Sequence, residues 1–111
     1  MKVLLVGDIV GKVGRRVLSN VLFKVIDQMK IDFSIANCEN AAGGFGVTRE
    51  TADEIFRCGI DVLTSGNHIW DKKETLQFIN DDKRILRPAN YPEGAPGSGC
   101  GIFETNKGMK I

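Results

Sequence analysis

Three short groups of polar residues carry the chemistry available to this chain: Asp8, then Asn37, Glu39 and Asn40, then Asn67, His68 and Asp71. Aspartate and glutamate supply anionic oxygen donors and asparagine a neutral carbonyl oxygen. Imidazole suits manganese, iron or zinc, so the mixture fits hard or borderline divalent cations. A central carboxylate such as Glu39 can bridge two ions. Two ions about 3.5–4 Å apart clamp a phosphodiester and activate the attacking water. What then remains is a proton donor for the leaving oxygen, and His68 is the sole histidine of the chain. Each residue alone has a plain reading. Asp8 suits a turn, Glu39-Asn40 a solvated loop, Asn67 a helix cap and a lone histidine a structural role. What they share is position: each group follows a short apolar run.

Those runs define the elements. Lys2 to Val6 is apolar and ends at Gly7, as a buried strand does. Around and after Gly14 the apolar residues Val13, Val17, Leu18, Val21, Leu22, Val25, Ile26 and Met29 draw one stripe on a helix. Ile31 to Ala36 is a second strand, so the strand–helix–strand unit predicts parallel pairing. Asn37 to Val47 reads as a loop. Thr48 is the N-cap of a second helix, with Glu50, Asp53 and Glu54 early, Ala52, Ile55 and Phe56 inward, and Gly59 at its end. Ile60 to Leu63 is a third strand, closing on Ser65-Gly66. A short helix is expected from about Lys73 to Asn80, a fourth strand from Arg84 to Arg87, a loop from Asn90 to Gly99 and a strand from Gly101 to Glu104. Asn106-Lys107-Gly108 is a hairpin turn signal before Met109-Lys110-Ile111. The fold class is α/β: a mostly parallel sheet built from βαβ units with flanking helices. In such a sheet the three polar groups share the carboxyl edge, where open α/β sheets bind ligands.

Composition excludes several alternatives. The 111 residues are 42% hydrophobic and 26% charged with a net charge of +1, a globular pattern without an electrostatic footprint for nucleic acid or acidic membranes. No apolar run reaches the ~20 residues that span a bilayer, and a cytoplasmic location is expected. Three cysteines, Cys38, Cys58 and Cys100, include no C-x-x-C pair, which favours reduced thiols. Gly7, Gly11 and Gly14 lack the dinucleotide-binding spacing, and Asp8 among them would repel a pyrophosphate, so a Rossmann cofactor domain is a weak competitor. Gly43, Gly44 and Gly46 permit a closely approached loop beside the site. Phe45 within it is expected to anchor the loop, packing on a substrate base being its other use.

Four ordered motifs carry a family resemblance: Gly7-Asp8-Ile9-Val10-Gly11, Asn37-Cys38-Glu39-Asn40-Ala41-Ala42-Gly43-Gly44, Gly66-Asn67-His68-Ile69-Trp70-Asp71 and Arg87-Pro88-Ala89-Asn90-Tyr91-Pro92. Over nearly its whole length the chain resembles the N-terminal half of one bacterial branch of the calcineurin-like metallophosphoesterases. Members of that branch hydrolyse 2',3'-cyclic nucleotides and related phosphodiesters. The wider superfamily opens with Asp-x-His, and here Asp8-Ile9-Val10 has no histidine. Glu39-Asn40 stands where the superfamily has Gly-Asp-x-x-Asp. Both departures are those of the branch. The resemblance implies two divalent metal ions (Fe, Mn or Mg). It implies that Asp8 binds the first ion, Glu39 bridges both, Asn40 replaces the missing histidine, Asn67 binds the second ion and touches the phosphate, and His68 protonates the leaving oxygen or steadies the transition-state charge.

The resemblance also implies three further histidines from a C-terminal half, and the chain has one histidine in total. The expectation is therefore that residues 1–111 form the N-terminal part of a single metallophosphoesterase domain, truncated within a β-hairpin and inactive alone. Its substrate would be a small-molecule phosphodiester or cyclic nucleotide. The open hairpin and an uncovered sheet face lead to the expectation of a homo-oligomer. The alternative is a non-catalytic nucleotide-binding or regulatory module using the same crevice.

Overall fold

In the computed structural model, which describes residues 1–111, the chain runs β1 (Val3–Asp8), α1 (Gly11–Met29), β2 (Phe33–Asn37), α2 (Arg49–Arg57), β3 (Val62–Thr64), a 3-10 helix (Asn67–Trp70) and α3 (Thr75–Phe78). The three strands form one parallel sheet in the order β1-β2-β3. This is the expected α/β class and the expected parallel pairing. Helices α1 and α2 contact each other over one sheet face, as two right-handed crossovers in the same direction require. Between helices and sheet lies a core that includes Leu18, Leu22, Ala36, Ile55, Leu63, Ile69 and Ile85.

Local sequence explains the boundaries. Thr48 caps α2 as expected. Its side chain accepts from the Thr51 backbone N–H, and the Thr48 N–H is bound in return by the Thr51 hydroxyl. Helix α1 begins at Gly11 rather than after Gly14, because Gly14 packs within the first turn against Ile9 and donates its N–H to the Val10 carbonyl. The helix expected over 73–80 contracts to Thr75–Phe78, after the separate 3-10 turn of Asn67–Trp70. The expected fourth strand is reduced to bridges: Ile85 pairs parallel with Leu63, and Leu86 pairs with Ser98. The segment lies in register beside β3 but is too short to continue, since Pro88 lacks the N–H a ladder needs. The expected strand of Gly101–Glu104 is likewise reduced to a single bridge, with Glu104 opposite Lys110 across the Asn106-Lys107-Gly108 turn.

The α1 stripe is only partly buried. Leu18 and Leu22 are buried, contributing roughly 1.5–3 kcal/mol each, whereas Val13, Val17, Val21 and Met29 are exposed. Within residues 1–111 the sheet order places β1 at an edge, and no other element packs on this part of α1. Leu4, Val6, Ile9, Val17 and Val21 line an open apolar groove of about 410 Å³ that reaches Asp8. On the opposite sheet face Phe33 meets Phe103 of the C-terminal hairpin at 6.1 Å, while Leu5 of β1 stays exposed.

Candidate functional site

All three polar groups sit at the carboxyl edge of the sheet. β1 ends in Asp8, β2 ends in Asn37 just before Glu39 and Asn40, and β3 is followed by Ser65-Gly66 and the 3-10 turn bearing Asn67, His68 and Asp71. A register shift sharpens the first of these. Val6 pairs with Ala36 but Asp8 pairs with Asn37, so Gly7 is an extra residue in β1. Without that bulge Asp8 would stand opposite Cys38. Bulges of this kind re-aim a side chain beside a site.

Five hydrogen bonds knit the edge. Asn40 Nδ2 donates to Asp8 Oδ2 at 2.6 Å, joining the first strand's carboxylate to the second strand's loop. Asn37 holds Glu39 twice. Its Oδ1 accepts from the Glu39 backbone N–H at 3.0 Å, and its Nδ2 donates to Glu39 Oε1 at 3.3 Å. The backbone N–H of His68 donates to Glu39 Oε2 at 3.2 Å, joining the second strand's loop to the third. The His68 ring meets Asp71 through Nδ1 and Oδ2 at 2.6 Å, which leaves Nε2 as its outward nitrogen.

Electrostatics record the same gathering of charge. The Asp71 carboxylate raises the His68 pKa above its ordinary value; desolvation opposes this, and Glu39 and Asp8 add to the rise. Burial pushes the Cys38 thiol up to about 12, again with Glu39 and Asp8 adding to the effect. Cys38 is buried and inert, and all three cysteines are free thiols.

Of the residues singled out from sequence, Asp8 with Asn40 and Glu39 with His68 are brought into direct contact. Asn67 stands at the start of the 3-10 turn, one residue from His68. The donors are suited to a hard cation: two carboxylates and two carboxamides on one rim. No group of three or more His, Cys, Asp or Glu side chains gathers here as a metal cage.

Three supporting roles escaped the sequence reading. Asn37 fixes Glu39 through both ends of its amide, and Asp71 orients His68. Gly66 makes room for the Glu39 carboxylate. A Cβ there would fall 2.6 Å from Glu39 Cδ, so any side chain at this position would push the carboxylate from its place. The Ser65-Gly66 turn after a strand was the available signal, but nothing in it names Glu39 as the neighbour. Arg15 supplies a fourth support from α1. It donates to the buried Ala41 carbonyl at 2.5 Å and pairs with Glu54 of α2 at 2.6 Å, tying the loop after β2 to both helices.

An open parallel α/β sheet that gathers these donors at its carboxyl edge is half of a metallophosphoesterase-type α/β sandwich. The chain belongs to the YmdB-like protein family, which matches residues 4–111. It is 42% identical over 106 residues to the 2',3'-cyclic-nucleotide 2'-phosphodiesterase of Bacillus subtilis, covering 96% of this chain and 40% of that protein. Two crystal structures superpose closely. A hypothetical protein from Thermus thermophilus gives a TM-score of 0.90 at 36% identity, with 99% of this chain and 42% of that one covered. A novel phosphatase from Mycoplasma pneumoniae gives 0.88 at 31% identity, with 96% and 40% covered. The chain thus spans about two-fifths of the length of these relatives. The branch expected from its motifs is the one to which it belongs.

Proposed function

We propose that this chain is the N-terminal part of a metal-dependent phosphodiesterase acting on 2',3'-cyclic nucleotides or related small phosphodiesters. The observation that carries the reading is the chain of contacts from Asp8 through Asn40 to the loop that bears Glu39, and from Glu39 to His68, across three strand ends. Relatives named as a phosphodiesterase and a phosphatase support the same chemistry.

Asp8, Glu39, Asn40 and Asn67 would hold two divalent cations of the Mn, Fe or Mg class. When bound, these supply Lewis acidity toward the phosphate oxygens and a nucleophile at neutral pH. The protein's own residues do the rest. Asn37 and the His68 N–H fix both oxygens of Glu39, so the carboxylate is presented in one orientation. Asp71 holds the imidazole through Nδ1 and keeps its pKa raised, which favours the protonated ring. The outward Nε2–H then donates its proton to the leaving alkoxide. The Asn67 amide N–H₂ is free to bind a non-bridging phosphate oxygen. With donors for only part of each shell, residues 1–111 alone are inactive in this reading.

The test is Asp8→Asn and Glu39→Gln in the full-length protein, assayed with 2',3'-cyclic AMP and Mn²⁺. Turnover lost in both is expected, and unchanged turnover in both would refute the proposal. A second reading, a non-catalytic nucleotide-binding module, draws on the incomplete cage. Metal-dependent hydrolysis of bis-p-nitrophenyl phosphate by the full-length protein, lost in Asp8→Asn, would exclude it.

A further inference from the structure

The loop after β2 ends in an exposed aromatic ring held by the same residues that form the site. Gly44 donates its N–H to the Asn40 carbonyl at 3.2 Å, Gly46 to the Glu39 carbonyl at 2.5 Å, and Ala42 to the Gly46 carbonyl at 2.9 Å. Gly43, Gly44 and Gly46 take positive φ of 73°, 100° and 73°, which close the turn tightly. Gly46 lies against the turn that carries His68: a Cβ there would sit 3.4 Å from the His68 carbonyl and clash with Lys72. Beyond it Val47 is buried, and its carbonyl accepts from Thr75 Oγ1 at 2.9 Å. Phe45 therefore projects from a pinned loop between two turns of the site, yet it is 49% exposed. Lys72 Nζ lies 4.1 Å from its ring centroid, and no carboxylate pairs with that ammonium.

A loop anchor needs burial, and about half of Phe45 is left uncovered. A rigid ring beside a polar site, with a cation on one face and its remainder open, is the arrangement that stacks a nucleobase. The unpaired ammonium beside it suits a phosphate oxygen. We propose that Phe45 and Lys72 form the nucleobase side of the substrate site. The ring stacks on the base, and the enzyme thereby selects nucleoside cyclic phosphates over base-free cyclic phosphodiesters. This rests on the phosphodiesterase reading above.

The test uses the full-length protein and two substrates, 2',3'-cyclic AMP and the 2,3-cyclic phosphate of methyl riboside, which has no base. Phe45→Ala should raise KM for 2',3'-cyclic AMP about ten-fold and leave the base-free substrate unchanged, while Phe45→Tyr retains wild-type KM. Equal loss on both substrates, or no loss on either, overturns the proposal. The fluorescence of Trp70, the single tryptophan, gives a readout independent of turnover. Adenosine 2'-monophosphate should bind more tightly than ribose 5-phosphate, and Phe45→Ala should erase the difference. Base preference without hydrolysis would leave the clamp standing and remove the phosphodiesterase reading. No base preference in the unsubstituted protein would overturn the clamp itself.

Discussion

The carboxylate of Glu39 rests on the backbone of Gly66, two residues before the histidine whose N–H it accepts. Residues far apart in sequence are thereby fitted together, and a methyl group on Gly66 would displace the carboxylate. Gly66 has ordinary negative φ of −124°, so alanine there meets no backbone strain, only the carboxylate. Gly66→Ala is expected to leave the circular-dichroism spectrum unchanged and to weaken Mn²⁺ binding by the full-length protein about 10–100-fold, as losses of ligand support do. Unaltered Mn²⁺ affinity would show that Glu39 does not depend on this seat.

If His68 delivers a proton, its value depends on the leaving group. A ribose alkoxide needs the proton, whereas p-nitrophenolate leaves without one. His68→Ala should slow 2',3'-cyclic AMP hydrolysis about 10²–10⁴-fold and slow bis-p-nitrophenyl phosphate much less. Asp71→Asn should fall between the wild type and His68→Ala on the first substrate, because it loosens the ring without removing it. Equal losses on both substrates would assign His68 to positioning or charge stabilisation instead.

Arg15 reaches the site only through the backbone. Its side chain is 14% exposed and donates to the buried carbonyl of Ala41. Arg15→Met leaves that carbonyl unsatisfied, at about 1–3 kcal/mol. Thermal unfolding should show the loss, and Glu54→Gln, which keeps the Ala41 bond, should lower Tm less. Identical Tm for Arg15→Met and the wild type would remove Arg15 as a support of the loop.

Away from the site, Arg84 and Arg49 both pair with Asp82 and hold its pKa down, from the ordinary 3.8 to about 2. A carboxylate with a depressed folded pKa stabilises the fold above its unfolded pKa. That stability is lost as pH falls from about 4 through 2. After allowance for solvent screening the effect is on the order of 1 kcal/mol. Asp82→Asn should flatten the acid limb of a denaturation curve between those pH values and leave its alkaline limb alone. An unchanged acid limb would mean that the pairs carry no net stability.

The parallel sheet, the capped second helix and the hairpin turn were legible because each rests on local chemistry. Apolar runs of strand length, Thr48 ahead of a helical face, and Asn106-Lys107-Gly108 need no distant partner to be recognised. The α1 stripe gave the helix but not which of its residues would be covered: Leu18 and Leu22 are buried, whereas Val13, Val17 and Val21 are exposed, because burial needs a neighbour from elsewhere in the fold. The segment Arg84–Arg87 failed to become a strand for a similar reason: its pattern is right, but Pro88 stops the ladder after Ile85 and Leu86 have paired.

From sequence alone, the alternation of strand and helix determined which residues stand at the carboxyl edge, because a parallel βαβ unit has only one such edge. Asp8, Glu39, Asn40, Asn67 and His68 could be placed there without coordinates. Which of them touch was decided in three dimensions. The bulge at Gly7 sets Asp8 opposite Asn37, Asn37 grips Glu39, Gly66 seats its carboxylate, and Lys72 settles on Phe45. Such contacts arise from packing between segments far apart in the chain, where a shift of one residue or one methyl group changes the partner. No local pattern encodes that.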